Sequence, residues 1–323
     1  MIHLKKTTIL ILISLLLMTS CSFKDWKEYS QVMKTENPRK IDKYIKSTDS
    51  ETFAQRAETK LEKIYYKRAN DEASCFRYLA KYPEGKYVEQ TKDKLEQLTY
   101  ERAKESVFAV TDYIKTYPNG KYRDNKVITD AENELKKLTE ALDTVQINDI
   151  LANLAATPAE PVEKNEIAII ETRFGVMKMK FLPKKAPNHC ANFKRLATSG
   201  YYDGVKFHRV IPGFMIQGGD INSRDGKRAT DGMGGPGYTI DAEFNDVSHE
   251  MGIVSMARTP DPNSAGSQFF ICDGSPTFLD GQYTVFGEII EGKSIIAEIA
   301  NVQRDGNDNP LEPIYIRITI VKE

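Results

Sequence analysis

The run Phe207-His208-Arg209-Val210-Ile211-Pro212-Gly213-Phe214-Met215-Ile216-Gln217-Gly218-Gly219-Asp220 constrains the fold of this chain more than any other stretch. From Val210 up to Gln217 runs a short apolar stretch broken by Pro212-Gly213. Proline cannot donate to a ladder inside a central strand, so a Pro-Gly in a strand pattern marks an edge, or a bulge that re-aims side chains. Arg209 and Gln217 are then expected to place polar tips beside Phe214 and Met215. An apolar pocket with a few fixed donors is the usual make-up of a small-ligand site.

Two further stretches follow in order. One is Ser255-Met256-Ala257-Arg258 with Gly266-Ser267-Gln268-Phe269-Phe270-Ile271-Cys272, the other Phe278-Leu279-Asp280-Gly281-Gln282-Tyr283-Thr284-Val285-Phe286-Gly287. Together the three motifs resemble the cyclophilin family of peptidyl-prolyl cis-trans isomerases, and the resemblance runs from about Glu166 to Glu323. It implies a closed antiparallel eight-stranded β-barrel capped by two helices. It also implies action on X-Pro bonds of proline-containing polypeptides, with no cofactor and no metal. Catalytic roles pass to Arg209, Phe214 and Gln217, and substrate-binding roles to Met215, Ala257, Arg258, Gln268, Phe270, Phe278, Leu279 and Tyr283. Phe278 stands where many eukaryotic members carry tryptophan and Tyr283 where they often carry histidine, which implies weak affinity for cyclosporin.

The local patterns agree with a barrel. Ile167 to Phe181 reads as two strands around Arg173-Phe174-Gly175, with Met177, Met179 and Phe181 alternating with Lys178 and Lys180. Pro187 opens a helix that Gly200 ends, Ser294 to Ala300 suggests a second, and Ile314 to Ile320 alternates as a last strand. Other chemistry finds little support. Gly232-Met233-Gly234-Gly235-Pro236-Gly237 fits G-x-G-x-x-G but leads into Tyr238-Thr239-Ile240, a strand rather than a helix. The histidines His3, His189, His208 and His249 show no metal spacing, and His208 reads as structural. No serine or cysteine has a base at motif spacing.

The first half is different. Residues 26–150 are rich in Lys, Glu, Leu, Ala and Tyr and poor in Gly, a helical composition. Tyr44, Tyr78 and Tyr113 sit in matching five-residue segments, 34 and 35 residues apart. Lys81-Tyr82-Pro83-Glu84-Gly85-Lys86-Tyr87 recurs as Thr116-Tyr117-Pro118-Asn119-Gly120-Lys121-Tyr122. A helix-turn-helix unit at this period resembles tetratricopeptide repeats. Such arrays bind protein partners on an exposed face, although no charged or aromatic stripe in the sequence picks one out, and a spacer is an equal reading.

Ahead of the repeat, Lys5 and Lys6 precede an apolar stretch from Ile9 to Met18 that is too short to span a bilayer comfortably and fits a secretory leader. Leu17-Met18-Thr19-Ser20-Cys21 resembles a bacterial lipobox, which makes Cys21 an acylated lipid anchor. Ser22 after it implies outer-membrane sorting, with a periplasmic or surface face left open. The expected organisation is thus multidomain: leader 1–20, helical repeat 21–154, linker 155–165 through Pro158 and Pro161, isomerase domain 166–323. A formal net charge of −1 carries no nucleic-acid footprint. Cys75, Cys190 and Cys272 form no disulfide framework, and the last two are expected in the core. The favoured function is an envelope-tethered isomerase assisting the folding of exported proteins. The alternative is a non-catalytic proline-segment binding module on a helical scaffold.

Overall fold

The computed structural model of the chain describes residues 24–144, 147–224 and 227–323. The expected leader and the Cys21 anchor lie outside the described residues. The chain forms two compact units, one ending at Leu98 and one running from Thr99 to Glu323. Among the described residues no helix is long and apolar enough to cross a membrane.

The first unit is helical. Asn37 caps α1 (Pro38–Ile45), its side chain accepting from the amides of Arg39 and Lys40, with proline at a first-turn position where its missing N–H costs nothing. Ser50 caps α2 (Glu51–Arg68), and a reciprocal Asp71–Ser74 capping box starts α3 (Glu72–Lys81). Ile41 and Tyr44 of α1 bury against Ala57, Leu61 and Ile64 of α2. The Tyr78 hydroxyl accepts the Tyr87 amide at 3.0 Å, and Tyr87 stacks on Tyr66 at 4.4 Å.

Equivalent contacts recur in the second unit. After α4 (Val88–Glu105), α5 (Ala109–Thr116) carries Tyr113, whose hydroxyl accepts the Tyr122 amide at 3.0 Å while Tyr122 stacks on Tyr100 at 4.2 Å. Each Tyr-Pro-x-Gly-x-Tyr turn is therefore clamped by a buried tyrosine from the helix before it. Then come α6 (Lys126–Thr144) and α7 (Ile147–Ala156).

The rest of this unit is an antiparallel sheet: β1 (Glu166–Thr172), β2 (Gly175–Phe181), β3 (Val205–Lys206), β4 (Arg209–Ile211), β5 (Met215–Gly218), β6 (Ile253–Met256), β7 (Phe269–Cys272), β8 (Val285–Glu291) and β9 (Tyr315–Lys322). Their order is β3-β9-β1-β2-β8-β6-β7-β5-β4. This corrects the closed eight-stranded expectation: among the described residues there are nine strands in an open order. The cause lies at Phe207-His208. The Phe207 amide bonds Ile314 beside β9, whereas the His208 amide bonds Gln217 on β5, so one extended segment changes partners midway and becomes two short strands. Short end strands limit the exposed ladder edge.

The two expected cap helices are α8 (Pro187–Thr198) and α9 (Lys293–Ala300). Phe193 and Leu196 of α8 and Ile296 and Ile299 of α9 enter one cluster with Met177, Met179, Ile216, Phe269 and Phe286. Ile150 and Leu154 of α7 join the same cluster. The expected linker 155–165 thus begins as the end of a packed helix, and Arg195 holds the carbonyl of Thr157 at 2.7 Å.

Candidate functional site

The site is built on the β4–β5 hairpin. Pro212-Gly213 forms its turn instead of a bulge, while β4 is indeed an edge of the sheet. Gly213 adopts φ +73°, a conformation that side chains with a Cβ rarely take. The Asp273 carboxylate accepts the Gly213 amide at 2.8 Å, and the Asp273 amide returns to the Phe214 carbonyl at 2.9 Å. This pins the turn to the end of β7. In this register Arg209 lies directly opposite Gln217.

A pocket of about 140 Å³ opens beside them, lined by Arg209 and Gln217 on the polar side and by Phe214, Met215, Phe270 and Leu279 on the apolar side. Ala257, Arg258 and Tyr283 complete the wall. Met215, Phe270 and Leu279 are almost wholly buried. Phe278 stands on the rim, two-thirds exposed, with its ring 5.7 Å from that of Phe214. Gln268 does not line this pocket. Its carbonyl accepts the Ala257 amide and its Oε1 accepts from Gln217 Nε2 at 3.0 Å, while its own Nε2 donates to the carbonyls of Gly232 and Gly234. The orientation of Gln217 is thus set through Gln268 by the glycine loop. An adjoining hollow of about 460 Å³ shares Gln217, Ala257 and Arg258 and runs along that loop.

The side chain of Arg258 clasps the groove wall. Its Nε donates to the Gln282 carbonyl at 3.0 Å, its Nη1 donates to the Thr259 carbonyl at 2.8 Å, and the guanidinium lies 4.5 Å over the Tyr283 ring.

Two features escaped the sequence. One is Asp308, about a hundred residues beyond Arg209, whose carboxylate lies 3.8 Å from Arg209 Nε. Its backbone is left-handed at φ +61° and its carbonyl accepts the Val210 amide at 2.8 Å. Its only local signal is the turn-like Asn307-Asp308-Asn309-Pro310. The other is a hydrogen-bonded chain behind Phe270, which brings a histidine and a carboxylate to a serine without any motif spacing in the sequence. His249 bonds Asp280 through Nδ1 at 2.8 Å and Ser255 through Nε2 at 3.2 Å. Ser255 is fully buried and also donates to the Thr284 carbonyl at 2.9 Å, so it faces no substrate. The hydroxyl of Ser248, then the amide and ring of His249, draw the Asp280 pKa down to about 2. This chain supports the pocket floor, since the His249 ring stacks on Phe270 at 5.9 Å.

Nucleophilic thiol chemistry is disfavoured as well. Burial pushes Cys190 and Cys272 up to about 12, far from a thiolate at neutral pH. His208 is buried behind the glycine loop, where desolvation holds its pKa below the usual histidine value, and it does not line the pocket. The glycine loop leads into no helix, so it is not a dinucleotide fingerprint.

The arrangement offers the Arg209 guanidinium and the Gln217 amide beside an apolar floor. Comparison with known proteins points the same way. The model of the cyclophilin type peptidyl-prolyl cis-trans isomerases matches residues 167–321. A peptidyl-prolyl cis-trans isomerase of Synechococcus elongatus is 46% identical over 128 residues, covering 40% of this chain and 83% of that protein. One of Schizosaccharomyces pombe is 40% identical over 152 residues, covering 46% of this chain and 93% of that protein. Among solved structures, a cyclophilin type peptidyl-prolyl cis-trans isomerase of Cryptosporidium parvum is 34% identical, covers 49% of this chain and 98% of its own, and superposes with a TM-score of 0.45.

Proposed function

The chain belongs to the cyclophilin-type peptidyl-prolyl cis-trans isomerases, and from that premise we propose how its own residues turn an X-Pro bond and where it does so. An amide resists rotation by about 18–20 kcal/mol because the nitrogen lone pair is delocalised into the carbonyl. In the twisted transition state the nitrogen is pyramidal and regains that lone pair as a hydrogen-bond acceptor. A group that donates to this lone pair, and not to the planar amide, lowers the barrier. Each 1.4 kcal/mol of such preference is worth about tenfold in rate.

Arg209 is that donor. The proline ring sits against Phe214, Met215, Phe270 and Leu279, which places the ring nitrogen under the guanidinium. Gln217, held by Gln268, donates to the carbonyl on the substrate side, and the backbone beside Ala257 and Arg258 aligns the chain. No bond is made to the protein and no proton is transferred. The observation that carries this reading is the opposition of Arg209 and Gln217 across the hairpin, both lining the one apolar pocket. The test is isomerisation of a proline tetrapeptide by the full chain and by Arg209→Ala. Strong acceleration lost in a folded variant supports the roles assigned here. Equal rates for the two proteins would remove Arg209 from the chemistry.

We further propose that acylation at Cys21 tethers the isomerase to a bacterial envelope membrane, on the outer membrane given Ser22, where it acts on exported proteins. The lipobox-like Leu17 to Cys21 supports this. Incorporation of a fatty-acid probe that persists in Cys21→Ser would refute it. The helical region, tetratricopeptide-like in its period, then serves as the scaffold between anchor and barrel.

A further inference from the structure

In the first helical unit, three arginines that the sequence scatters over 39 positions converge on one groove. Arg39 lies in the first turn of α1, Arg68 closes α2 and Arg77 lies in the middle of α3. The groove has a volume of about 710 Å³, with Tyr65 and Pro38 among its walls. All three arginines are exposed, and among the described residues none has a carboxylate within 4 Å. Arg68 is held in place, since its Nη2 donates to the Glu36 carbonyl at 2.9 Å.

Two acids lie nearby. Glu36 itself lines the groove, about two-thirds exposed, with its carboxylate 3.7 Å from Lys60, so three guanidinium groups face one carboxylate there. The Asp71 carboxylate accepts the Ser74 amide at 2.7 Å as the α3 cap. The α1 amides nearest the groove are satisfied by Asn37, so the donors on offer are guanidinium N–H groups. Guanidinium is planar, weakly hydrated and suited to forked pairing with carboxylates, and preorganised donors lose less entropy on binding.

We propose that this groove binds an extended acidic polypeptide segment whose carboxylates pair with Arg39, Arg68 and Arg77 while its backbone runs past Tyr65 and Pro38. A concave slot with an aromatic and a proline wall suits a polypeptide strand, and a flat sheet of lipid phosphates cannot enter it. The segment belongs to a partner protein. The proposal is independent of the isomerase chemistry, because none of these residues belongs to the proline pocket.

The test is fluorescence anisotropy of the full chain with a fluorescein-labelled peptide of alternating glutamate and glycine. Lacking proline, it offers the barrel no substrate. Saturable binding is expected, weakening at least tenfold between 50 and 300 mM salt as exposed ion pairs are screened. The double variant Arg39→Gln with Arg77→Gln, which leaves the Arg68 tie intact, is expected to bind at least tenfold more weakly, while unchanged helical circular dichroism and unchanged turnover of a proline tetrapeptide report intact folding. No binding by wild type, or equal binding by the folded variant, overturns the proposal. So does binding to phosphatidylglycerol vesicles that the variant loses when the peptide does not bind, which would assign the groove to a membrane surface. Loss of peptide binding with tetrapeptide turnover retained separates this site from the isomerase reading.

Discussion

Arg195 of α8 donates from Nη2 to the carbonyl of Leu154 at 2.9 Å, tying a helix of the barrel to the last turn of α7. Leu154 and Ile150 lie in the same apolar cluster as Phe193. Elsewhere Arg102 Nη1 donates to the Arg173 carbonyl at 2.6 Å, and Arg317, shared with Glu171, also pairs with Glu134. Three separate regions of residues 99–156 therefore complete the isomerase unit.

A fragment cut at Glu163, inside the linker that composition suggests, should be markedly less stable than one beginning at Thr99. Exposing the surface under Ile150 and Leu154 costs about 1.5–3 kcal/mol for each side chain. Urea midpoints of the two fragments check this. Equal midpoints would mean that the helices only rest on the barrel.

Arg209→Ala should lower kcat/KM by about 10²–10³-fold, the range for loss of one preorganised donor to a transition state. KM should change little, because the apolar wall that holds the ring remains. Arg209→Lys should not restore the rate, since an ammonium lacks the planar fork. A loss confined to KM would move Arg209 from catalysis to ground-state binding.

Asp308→Asn removes the charge opposite Arg209 and keeps the shape of the side chain. The pair is partly exposed, and the Asp308 carboxylate is shared with Arg304 at 3.2 Å. An exposed pair contributes up to about 1 kcal/mol, so a fall in kcat of no more than about fivefold is expected, with KM unchanged. Asp308 would then be a positioning residue. A fall of 10²-fold in the folded variant would require a larger role.

Acid should weaken the pocket floor through Asp280. Hydrogen bonds from Ser248 and then His249 depress its carboxyl from 3.8 in the unfolded chain to about 2. A depressed carboxyl contributes stability that is complete above the unfolded value and is lost as pH falls toward the folded one. Melting temperatures of wild type should drop between about pH 4 and pH 2 more steeply than those of Asp280→Asn, which starts lower at pH 7. Parallel curves would show that other groups control acid unfolding.

How much of this was legible beforehand differs from place to place, for physical reasons. The sequence by itself determined what local chemistry governs. Pro187 and Gly200 bracket α8, alternation marks β2 and β9, and the paired Tyr-Pro-x-Gly-x-Tyr turns carry the helical repeat. The resemblance of its motifs also pointed to Arg209, Phe214, Met215 and Gln217, which the structure brings together on one hairpin. Only the tertiary structure decided what joins distant segments. Asp308 reaches Arg209, Asp280 reaches His249, α7 enters the core of the barrel, and Arg39, Arg68 and Arg77 meet in one groove. Nothing at the level of spacing encodes these meetings, because they depend on where whole helices and loops come to rest once their apolar faces are buried.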